Sequence, residues 1–232
     1  MTAISVLASA VTIAMFISQL SIVTQLRRAQ RTRATVPMLQ FLVSFLSSVL
    51  WLKYGLLKAD PTIVFVNVLG TLISIYIMLC FWWYGNARLV ETRFLLTLLC
   101  GLLAIAYVDN SSEPWAHDAF SMLCCLISLV FLGSPLGQIG SVVRLQDASV
   151  LLPSVALLAF FNNVLWSVYG HIHNDPFMLF PNAIGAALCA LQLGLIAYYG
   201  RAAANLPLAA PGKLSPEYSD GVESVPMTEI AV

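Results

Sequence analysis

The sequence predicts an all-α membrane protein in which seven transmembrane helices form two parallel three-helix repeats joined by a linker helix. Three observations predict this fold class: long apolar runs with almost no charge, a motif that occurs twice, and basic residues that gather at alternate ends of the runs. Of the 232 residues, 59% are hydrophobic and 9% are charged. Soluble proteins have about half apolar and a quarter charged residues, so the composition argues against a soluble domain.

Seven apolar runs provide the predicted membrane-spanning helices. A helix needs ~20 residues to cross a bilayer, and all runs except the short fourth one approach or reach that length. The runs do not alternate apolar with polar residues, which argues against a transmembrane β-barrel. They cover residues 2–26, 36–57, 61–85, 92–108, 119–143, 149–170 and 176–199.

The basic residues predict the orientation, because cytoplasmic loops carry an excess of Lys and Arg. With the N-terminus outside or lumenal, only Lys53 and Lys58 fall on the outer side, and the C-terminus is cytosolic. Basic residues beside a membrane, at a net charge of +0, give no support to nucleic-acid binding. The cytosolic group is Arg27, Arg28, Arg31, Arg33, Arg88, Arg93, Arg144, Arg201 and Lys213.

A motif at the end of the second run returns at the end of the sixth. "WLKYGLLKADPTIVFVN" occupies residues 51–67 and "WSVYGHIHNDPFMLFPN" occupies residues 166–182, with Trp, Tyr, Gly, Asp, Pro, Phe and Asn in step. Both copies leave one helix and enter the next in the same direction, so the two halves are parallel. Three helices cannot repeat in parallel without one extra crossing, which the run at 92–108 supplies.

These repeats divide the chain into four parts. The first three-helix repeat covers residues 1–85, the linker helix with its outer loop 86–118, and the second repeat 119–200. Residues 201–232 are polar and rich in proline, which predicts a disordered cytosolic tail. Parallel repeats are typical of transporters, whose binding site lies at the repeat interface near the membrane midplane.

The paired WxxYG…DP…N motif, on two three-helix halves around a linker helix, resembles the SWEET family of sugar transporters over residues 5–200. That family is itself a known example of parallel repeats, so the two arguments are not independent. The resemblance implies passive, bidirectional transport of a mono- or disaccharide by alternating access, in the plasma membrane or the Golgi membrane. It also implies self-association into a homo-oligomer, and we expect neither a cofactor nor enzymatic activity.

Paired polar and aromatic residues predict the sugar site. Carboxamides within membrane spans are costly, and they both donate and accept hydrogen bonds, as sugar hydroxyls do. An indole face suits the apolar face of a pyranose, and helical spacing places Ser48 beside Trp51 and Asn163 beside Trp166. The resemblance implies sugar contacts at Ser48, Asn67, Trp166 and Asn182, with Trp51 as an aromatic partner. Ser44, Ser47 and Ser74 are interpreted as helix-packing residues. The predicted substrate-binding residues are Ser48, Trp51, Asn67, Asn163, Trp166 and Asn182.

Prolines predict where the helices bend. Pro37, Pro135 and Pro153 lie toward the cytosolic ends of their helices, where proline frees a backbone carbonyl and weakens the helix locally. The resemblance implies a fourth hinge proline in the first helix, but Gln19 occupies that position. We therefore expect the first half to bend differently from the second.

The distribution of charge favours facilitated diffusion. Ion-driven carriers generally need ionisable groups along the pathway, and none lies deep within a predicted span. His171, His173 and Asp175 resemble a metal-binding or catalytic set, but we expect no such site, because they lie in a short outer loop without a buried partner. Asn110 begins the chain's one Asn-x-Ser/Thr triplet and is a candidate glycosylation site on the outer side.

Other function classes give the alternatives. A seven-helix receptor explains the helix count and the outside N-terminus, but that fold has no parallel internal repeat. A scaffold would use the tail and leave the paired Asn and Trp residues unexplained. An intramembrane enzyme has the least support, because the sequence offers no nucleophile–base pair or metal set. A receptor or scaffold without transport activity is therefore the alternative reading.

Overall fold

The computed structural model describes residues 2–32, 38–85, 87–131, 133–149 and 151–205. Within these ranges the chain forms nine helices and no strand. The helices are α1 Ala3–Gln19, α2 Ser21–Thr32, α3 Leu39–Leu57, α4 Pro61–Tyr84, α5 Ala87–Asn110, α6 Ala116–Phe131, α7 Gly133–Leu145, α8 Pro153–Ile172 and α9 Pro176–Asn205.

Seven stretches of the described chain are long and apolar enough to span a membrane, which confirms the predicted fold class. Two of them are built from consecutive helices: α1 and α2 form Ala3–Arg28, and α6 and α7 form Ala116–Leu145. The linker helix α5 has 24 residues and is longer than the apolar run that predicted it. It therefore reaches the ~20 residues that a crossing requires.

The helices of each repeat pack in the same order. In the first repeat, α1 to α4, helix α4 lies between α1 and α3; in the second, α6 to α9, helix α9 lies between α6 and α8. The repeats meet through α1 against α8 and α3 against α6. The linker helix α5 contacts α3, α4 and α6, and an ion pair between Lys53 and Asp109 joins it to α3.

The repeated motif forms the same helix ending twice. Asp60 N–H donates to Gly55 O at 2.9 Å, and Asp175 N–H donates to Gly170 O at 2.8 Å. These bonds define a Schellman motif at the end of each helix. In this motif the residue directly before the aspartate must adopt a left-handed conformation. Ala59 has φ 52° and Asn174 has φ 50°, although glycine is the usual residue at this position.

The aspartate and proline of the motif then begin the next helix. Asp60 is the N-cap of α4, and its Oδ1 accepts from Thr62 N–H at 2.9 Å. Pro61 follows at the first helical position, where a missing N–H costs nothing. Asp175 and Pro176 start α9 in the same way, with Asp175 Oδ1 accepting from Met178 N–H at 3.3 Å.

The motif glycines let the two helices of each hairpin approach closely. A Cβ atom on Gly55 would lie 2.9 Å from Ile63 Cγ2, and one on Gly170 would lie 2.8 Å from Leu179 N. Any larger residue would force the second helix of the hairpin outward. The spacing from glycine to aspartate therefore fixes both the turn and the angle of the hairpin.

The apolar core shows where the repeats touch. We call the end of the bundle that holds residues 58–60 and 173–175 the loop end. One core cluster beside it draws residues from both repeats, including Tyr54, Val66, Cys124 and Trp166. Toward the opposite end the cores separate: one combines the first repeat with the start of the linker helix α5, and another lies within α7 to α9. In the described residues α2 packs only on α1 and α4, and α7 only on α6 and α9.

The first span is interrupted at Leu20 although its helix-ending residue, Gln19, is not a proline. Leu20 N–H donates to Ile17 O at 3.0 Å, and Val23 N–H donates to Leu20 O at 3.0 Å. Bonds from residue i to i−3 belong to a tighter 3₁₀ turn, which breaks the regular α-helical ladder between α1 and α2. The regular helix of the first span is therefore interrupted without a proline.

Candidate functional site

A cavity of about 190 Å³ lies between the two repeats, on the side of the shared core away from the loop end. Helices α4 and α9 lie on either side of it and, among the described residues, do not pack on each other. Its lining is Thr12, Ser47, Trp51, Ile63, Val66, Asn67, Ser128, Asn162, Trp166, Met178 and Asn182.

The lining residues form pairs related by the internal repeat. Ten of these eleven side chains fall into five pairs at an offset of 115 or 116 residues, so each repeat contributes the same five positions. Two pairs are identical, and three exchange one side chain for another. The pairs are Thr12 with Ser128, Ser47 with Asn162, Trp51 with Trp166, Ile63 with Met178, and Asn67 with Asn182.

The two helix-start asparagines are oriented by their own helices. Asn67 Nδ2 donates to Ile63 O at 2.8 Å, and Asn182 Nδ2 donates to Met178 O at 2.8 Å. Each bond uses one of the two amide protons and fixes the rotation of the carboxamide. An amide has a second N–H and an acceptor oxygen, so each side chain retains both kinds of group for a ligand in the cavity.

The two indoles bond across the repeat boundary. Trp51 Nε1 of α3 donates to Ser128 Oγ of α6 at 3.0 Å. Trp166 Nε1 of α8 donates to Thr12 Oγ1 of α1 at 2.7 Å. Because both hydroxyls line the same cavity as the rings, the contact between the repeats is part of the site itself.

Two further bonds between the repeats close the cavity toward the loop end. Tyr54 Oη donates to Asp175 Oδ2 at 2.6 Å, and Tyr169 Oη donates to Asp60 Oδ2 at 2.7 Å. Tyr54, Tyr169 and Asp175 are buried, whereas Asp60 is partly exposed. Each motif aspartate therefore caps its own helix with one oxygen and binds the tyrosine of the other repeat with the second. Neither bond was predicted, because the two partners of each lie more than 100 residues apart in the chain.

The structure brings four of the six predicted binding residues together: Trp51, Asn67, Trp166 and Asn182 all line the cavity. Ser48 is absent from the lining of this cavity, and its Oγ lies 2.7 Å from the position that a Cβ on Gly70 would take.

Asn163 lies in the equivalent place in the second repeat. Its Oδ1 is 2.3 Å from the Cβ position of Gly185, and its Nδ2 donates to Ala159 O at 2.8 Å. Ser48 and Asn163 thus fill the space left by two glycines rather than lining the described cavity.

Sequence reasoning missed Ser47 and Asn162, which line the cavity one residue before Ser48 and Asn163. Ser47 had been interpreted as a packing residue. Residues three and four positions before a tryptophan both share its helical face, so spacing alone does not choose between them. No signal in the sequence separates the two neighbouring positions, because both repeats keep both distances from the tryptophan.

The predicted hinge residues have definite places along the helices. Pro153 is the first residue of α8, Pro135 is the third residue of α7, and Gln19 is the last residue of α1. Pro37 lies outside the described residues. The structure also contains Pro181 inside α9, directly before Asn182, which the sequence analysis did not use.

The cavity lining is neutral: in the described part of the chain, no Asp, Glu, His, Lys or Arg contributes to it. The same residues contain no group of three His, Cys, Asp or Glu side chains that could hold a metal ion. His173 stacks on Tyr169 with ring centroids 4.0 Å apart, and Asp175 binds Tyr54. The expectation that this loop has no buried partner was wrong, because Asp175 is buried and joins the second repeat to Tyr54 of the first.

Two parallel helical repeats around a neutral cavity at their interface define a repeat-built membrane transporter. A family model described as "Sugar efflux transporter for intercellular exchange" matches residues 2–89 and 118–204. These two matches cover most of the chain and correspond to the two repeats. The chain belongs to this family.

Individual relatives agree with the family match. A protein named "Sugar transporter SWEET1" from Dictyostelium discoideum is 28% identical over 206 residues, which are 86% of this chain and 93% of that protein. "Bidirectional sugar transporter SWEET16" from Arabidopsis thaliana is 28% identical over 172 residues, 70% of this chain and 74% of that protein. The structure of a eukaryotic SWEET transporter superposes with a TM-score of 0.74 at 23% identity, covering 86% of this chain and 96% of that one. That likeness supports the fold.

Proposed function

We propose that this protein is a passive, bidirectional sugar transporter that works by alternating access. One observation carries the proposal: a neutral cavity between the repeats presents two indoles and two oriented carboxamides from equivalent positions. Carboxamides and hydroxyls match the donors and acceptors of a sugar ring, and indole faces match its C–H faces. The names of the similar proteins point to the same class of substrate.

The arrangement of the apolar cores supports a state of the transport cycle that is closed at the loop end. At the loop end the repeats share a core and two tyrosine–aspartate bonds. At the opposite end the core of the first repeat, which includes the start of α5, is separate from the core of the second repeat. This pattern is expected of a conformation that admits substrate from the end that holds α2 and α7. The opposite state would break the bonds of Tyr54 and Tyr169 and bring α2 toward α7.

The neutral lining supports transport without ion coupling. A carrier driven by protons or sodium needs a group on the pathway whose charge is compensated by the ion. The decisive experiment loads liposomes containing the purified protein with labelled sugar and imposes a pH or sodium gradient. We expect the final inside-to-outside ratio to be one under every gradient. Accumulation against a sugar gradient would refute uncoupled transport, and absence of any flux would favour the receptor or scaffold.

The size of the cavity suggests a single sugar ring. At about 190 Å³ it lies below the ~300–1,000 Å³ of typical ligand sites, and a disaccharide needs about twice the volume of one pyranose. We therefore expect labelled monosaccharides to move faster than disaccharides in the same liposomes. Equal rates would mean that the cavity widens during the cycle.

The orientation proposal places the loop end outside or in the lumen, as the distribution of Lys and Arg predicts. Asn110, the last residue of α5, is exposed and precedes Ser111 and Ser112 in the acidic loop at that end. A Ser112→Cys variant should react with an impermeant thiol reagent in intact cells, or in opened vesicles if the protein is in the Golgi. A glycan on Asn110 would support the same orientation. Labelling from the cytosolic side alone would reverse it.

Compartment and self-association are also part of the proposal. Fluorescence of a tagged full-length chain distinguishes the plasma membrane from the Golgi. Light scattering of the purified protein in detergent, with the detergent mass subtracted, distinguishes a monomer from the homo-oligomer that the family resemblance implies.

A further inference from the structure

Two hydroxyl groups meet the indole nitrogens at the boundary between the repeats. An indole N–H can only donate a hydrogen bond, and a buried indole usually needs an acceptor. Trp166 is buried, and its acceptor is Thr12 Oγ1 of the other repeat at 2.7 Å. Trp51 is partly buried, and its acceptor is Ser128 Oγ at 3.0 Å.

Both hydroxyls are held as acceptors by their own helices. Thr12 Oγ1 donates to Ala8 O at 2.8 Å, and Ser128 Oγ donates to Cys124 O at 3.0 Å, each four residues back. The hydroxyl proton is then occupied by the helix, and the lone pairs point away from it. Ala8 and Cys124 are both fully buried, so these carbonyls lie in the shared core rather than beside solvent.

Thr12 has one additional partner. Its Oγ1 lies 2.7 Å from Asn162 Oδ1, another residue of the cavity lining. One hydroxyl proton cannot serve both Ala8 O and Asn162 Oδ1 at once. If the carboxamide of Asn162 turns over, its Nδ2 donates to Thr12 instead, and all four groups are satisfied together. Ser128 has Ser47 at the corresponding position, so the second network is the smaller one.

Each indole also packs against the tyrosine of its own helix that bonds to the aspartate of the other repeat at the loop end. Trp51 packs edge-to-face on Tyr54 with ring centroids 5.0 Å apart, and Trp166 packs in the same way on Tyr169 at 5.4 Å. Each indole therefore lies between the cavity and a closing tyrosine. Without the bond to its nitrogen, the orientation of the ring would depend on these packing contacts alone.

We propose that Thr12 and Ser128 are positioning residues, which hold the indoles of Trp166 and Trp51 from across the repeat boundary so that the ring faces present themselves to the substrate. The inference rests on the proposed sugar transport through this cavity. It adds that the tryptophan faces depend on the partner repeat, and that the first-repeat hydroxyl, Thr12, has the larger effect. The bond to Thr12 is shorter, its tryptophan is more buried, and its network reaches Asn162.

The experiment compares variants that remove or keep the hydroxyl. Thr12→Val keeps the shape and loses the acceptor, whereas Thr12→Ser keeps the acceptor. Since one hydrogen bond is at stake, we expect Thr12→Val to raise the KM for sugar about three- to tenfold with little change in maximal rate, and Thr12→Ser to stay near the parent. Ser128→Ala should raise the KM by a smaller factor.

Matched controls come from the same helices. Ser9 of α1 donates to Ser5 O at 2.7 Å, and Ser121 of α6 donates to His117 O at 2.7 Å. These are the same type of bond to a residue four positions back, on the same helices. Ser9→Ala and Ser121→Ala should leave the KM unchanged. In a Trp166→Phe background, which has no indole N–H, Thr12→Val should add no further change in KM.

A second readout does not depend on transport. Indole N–H signals of the protein, labelled with ¹⁵N at its five tryptophans and studied by NMR in detergent, can be assigned through Trp166→Phe and Trp51→Phe. Thr12→Val should shift the Trp166 signal and speed its hydrogen exchange, and Thr12→Ser should not.

The two measurements distinguish failure of the proposed sugar transport from failure of the proposed positioning role. If the parent moves no sugar, the proposed function fails and the indole signals alone decide whether Thr12 holds Trp166. If the parent transports sugar but Thr12→Val keeps both its KM and its Trp166 signal, or Thr12→Ser behaves like Thr12→Val, the positioning role is overturned.

Discussion

The two repeats share the same backbone turns and helix starts, but they carry different side chains at some equivalent positions. Both hairpins end their first helix with the same Schellman bond, begin the next with an Asp cap and a Pro, and send their aspartate to the tyrosine of the other repeat. Both place a tryptophan and an asparagine in the cavity. These shared positions all carry a geometric requirement, such as a left-handed turn, a close helix approach or a contact across the repeat boundary.

The differences lie where that requirement is weaker. Within the first repeat, Ile22 and Ile77 are buried in one apolar core, whereas the equivalent Gln138 and Gln192 of the second repeat share a hydrogen bond of 3.3 Å. Lys58 lies over the ring of Tyr54 at 5.6 Å, whereas His173 stacks on Tyr169. The comparison indicates that the repeats share the frame of the site, while positions outside that frame differ at both ends of the bundle.

The largest expected effect comes from removing the paired carboxamides of Asn67 and Asn182. Asn67→Ala and Asn182→Ala should each reduce sugar transport about tenfold or more. Each variant removes hydrogen bonds to a hydroxyl group of the bound sugar that is out of contact with water. Uptake by purified variants in liposomes measures this loss. Val68→Ala and Ile184→Ala, on exposed faces of the same helices, are the controls for folding and should transport normally. If either asparagine variant matches the parent, the binding site lies elsewhere.

The next prediction tests whether the two tyrosine–aspartate bonds contribute equally to the stability of the protein. Asp175 is buried, so Tyr54→Phe leaves a carboxyl oxygen without its donor and without water. Asp60 is partly exposed and keeps its cap bonds, so water can replace the hydroxyl that Tyr169→Phe removes. A hydrogen bond to a charged group contributes about 1.5–3 kcal/mol, and we expect Tyr54→Phe to lose most of it and Tyr169→Phe less.

Thermal unfolding in detergent measures this difference, with Tyr198→Phe on the exposed face of α9 as the control. A larger loss of stability for Tyr169→Phe would contradict the assignment of Tyr54–Asp175 as the more buried bond.

The third prediction concerns the glutamine pair that replaces two isoleucines. Gln192 is buried and Gln138 is exposed, so removing either partner has a different consequence. Gln138→Ile leaves the buried carboxamide of Gln192 unsatisfied and should cost about 1–3 kcal/mol, whereas Gln192→Ile should cost less. The double variant restores the packing of the first repeat and should be more stable than Gln138→Ile. Thermal unfolding of the three proteins checks the order, and additive losses would show that the two side chains do not interact.

Much of the fold could be predicted from the sequence because it depends on local chemistry. The apolar runs, the linker crossing and the turn at each "DP" follow from composition and from residues within one helical turn. Trp51, Trp166, Asn67 and Asn182 were identified because their coincidence in both halves had no equally simple explanation as packing.

The rest depends on contacts between distant residues, which spacing does not specify. Thr12 and Ser128 are ordinary helix hydroxyls in the sequence, and their role follows only from indoles that lie 154 and 77 residues away. Ser47 and Asn162 line the cavity one position before the predicted Ser48 and Asn163, since both neighbours share a helical face with the tryptophan. The interruption of the first span at Leu20 coincides with 3₁₀ bonds in a segment that has no proline.

The smallest expected effect concerns the two left-handed turn residues, where the repeats share a conformation but not a side chain. Ala59 and Asn174 both have φ near 50°, and Asn tolerates this region better than Ala does. Ala59→Gly should therefore stabilise the protein by about 0.5–1 kcal/mol, while Asn174→Gly should be close to neutral because Gly adds flexibility to the unfolded chain. Thermal unfolding of the two variants, with Ala59→Asn as the direct exchange between repeats, measures the difference. Ala59→Asn should also stabilise the protein, by less than Ala59→Gly. If neither substitution at residue 59 raises the unfolding temperature, the strain assigned to the first turn is absent, and the two hairpins differ in their backbone as well as in their side chains.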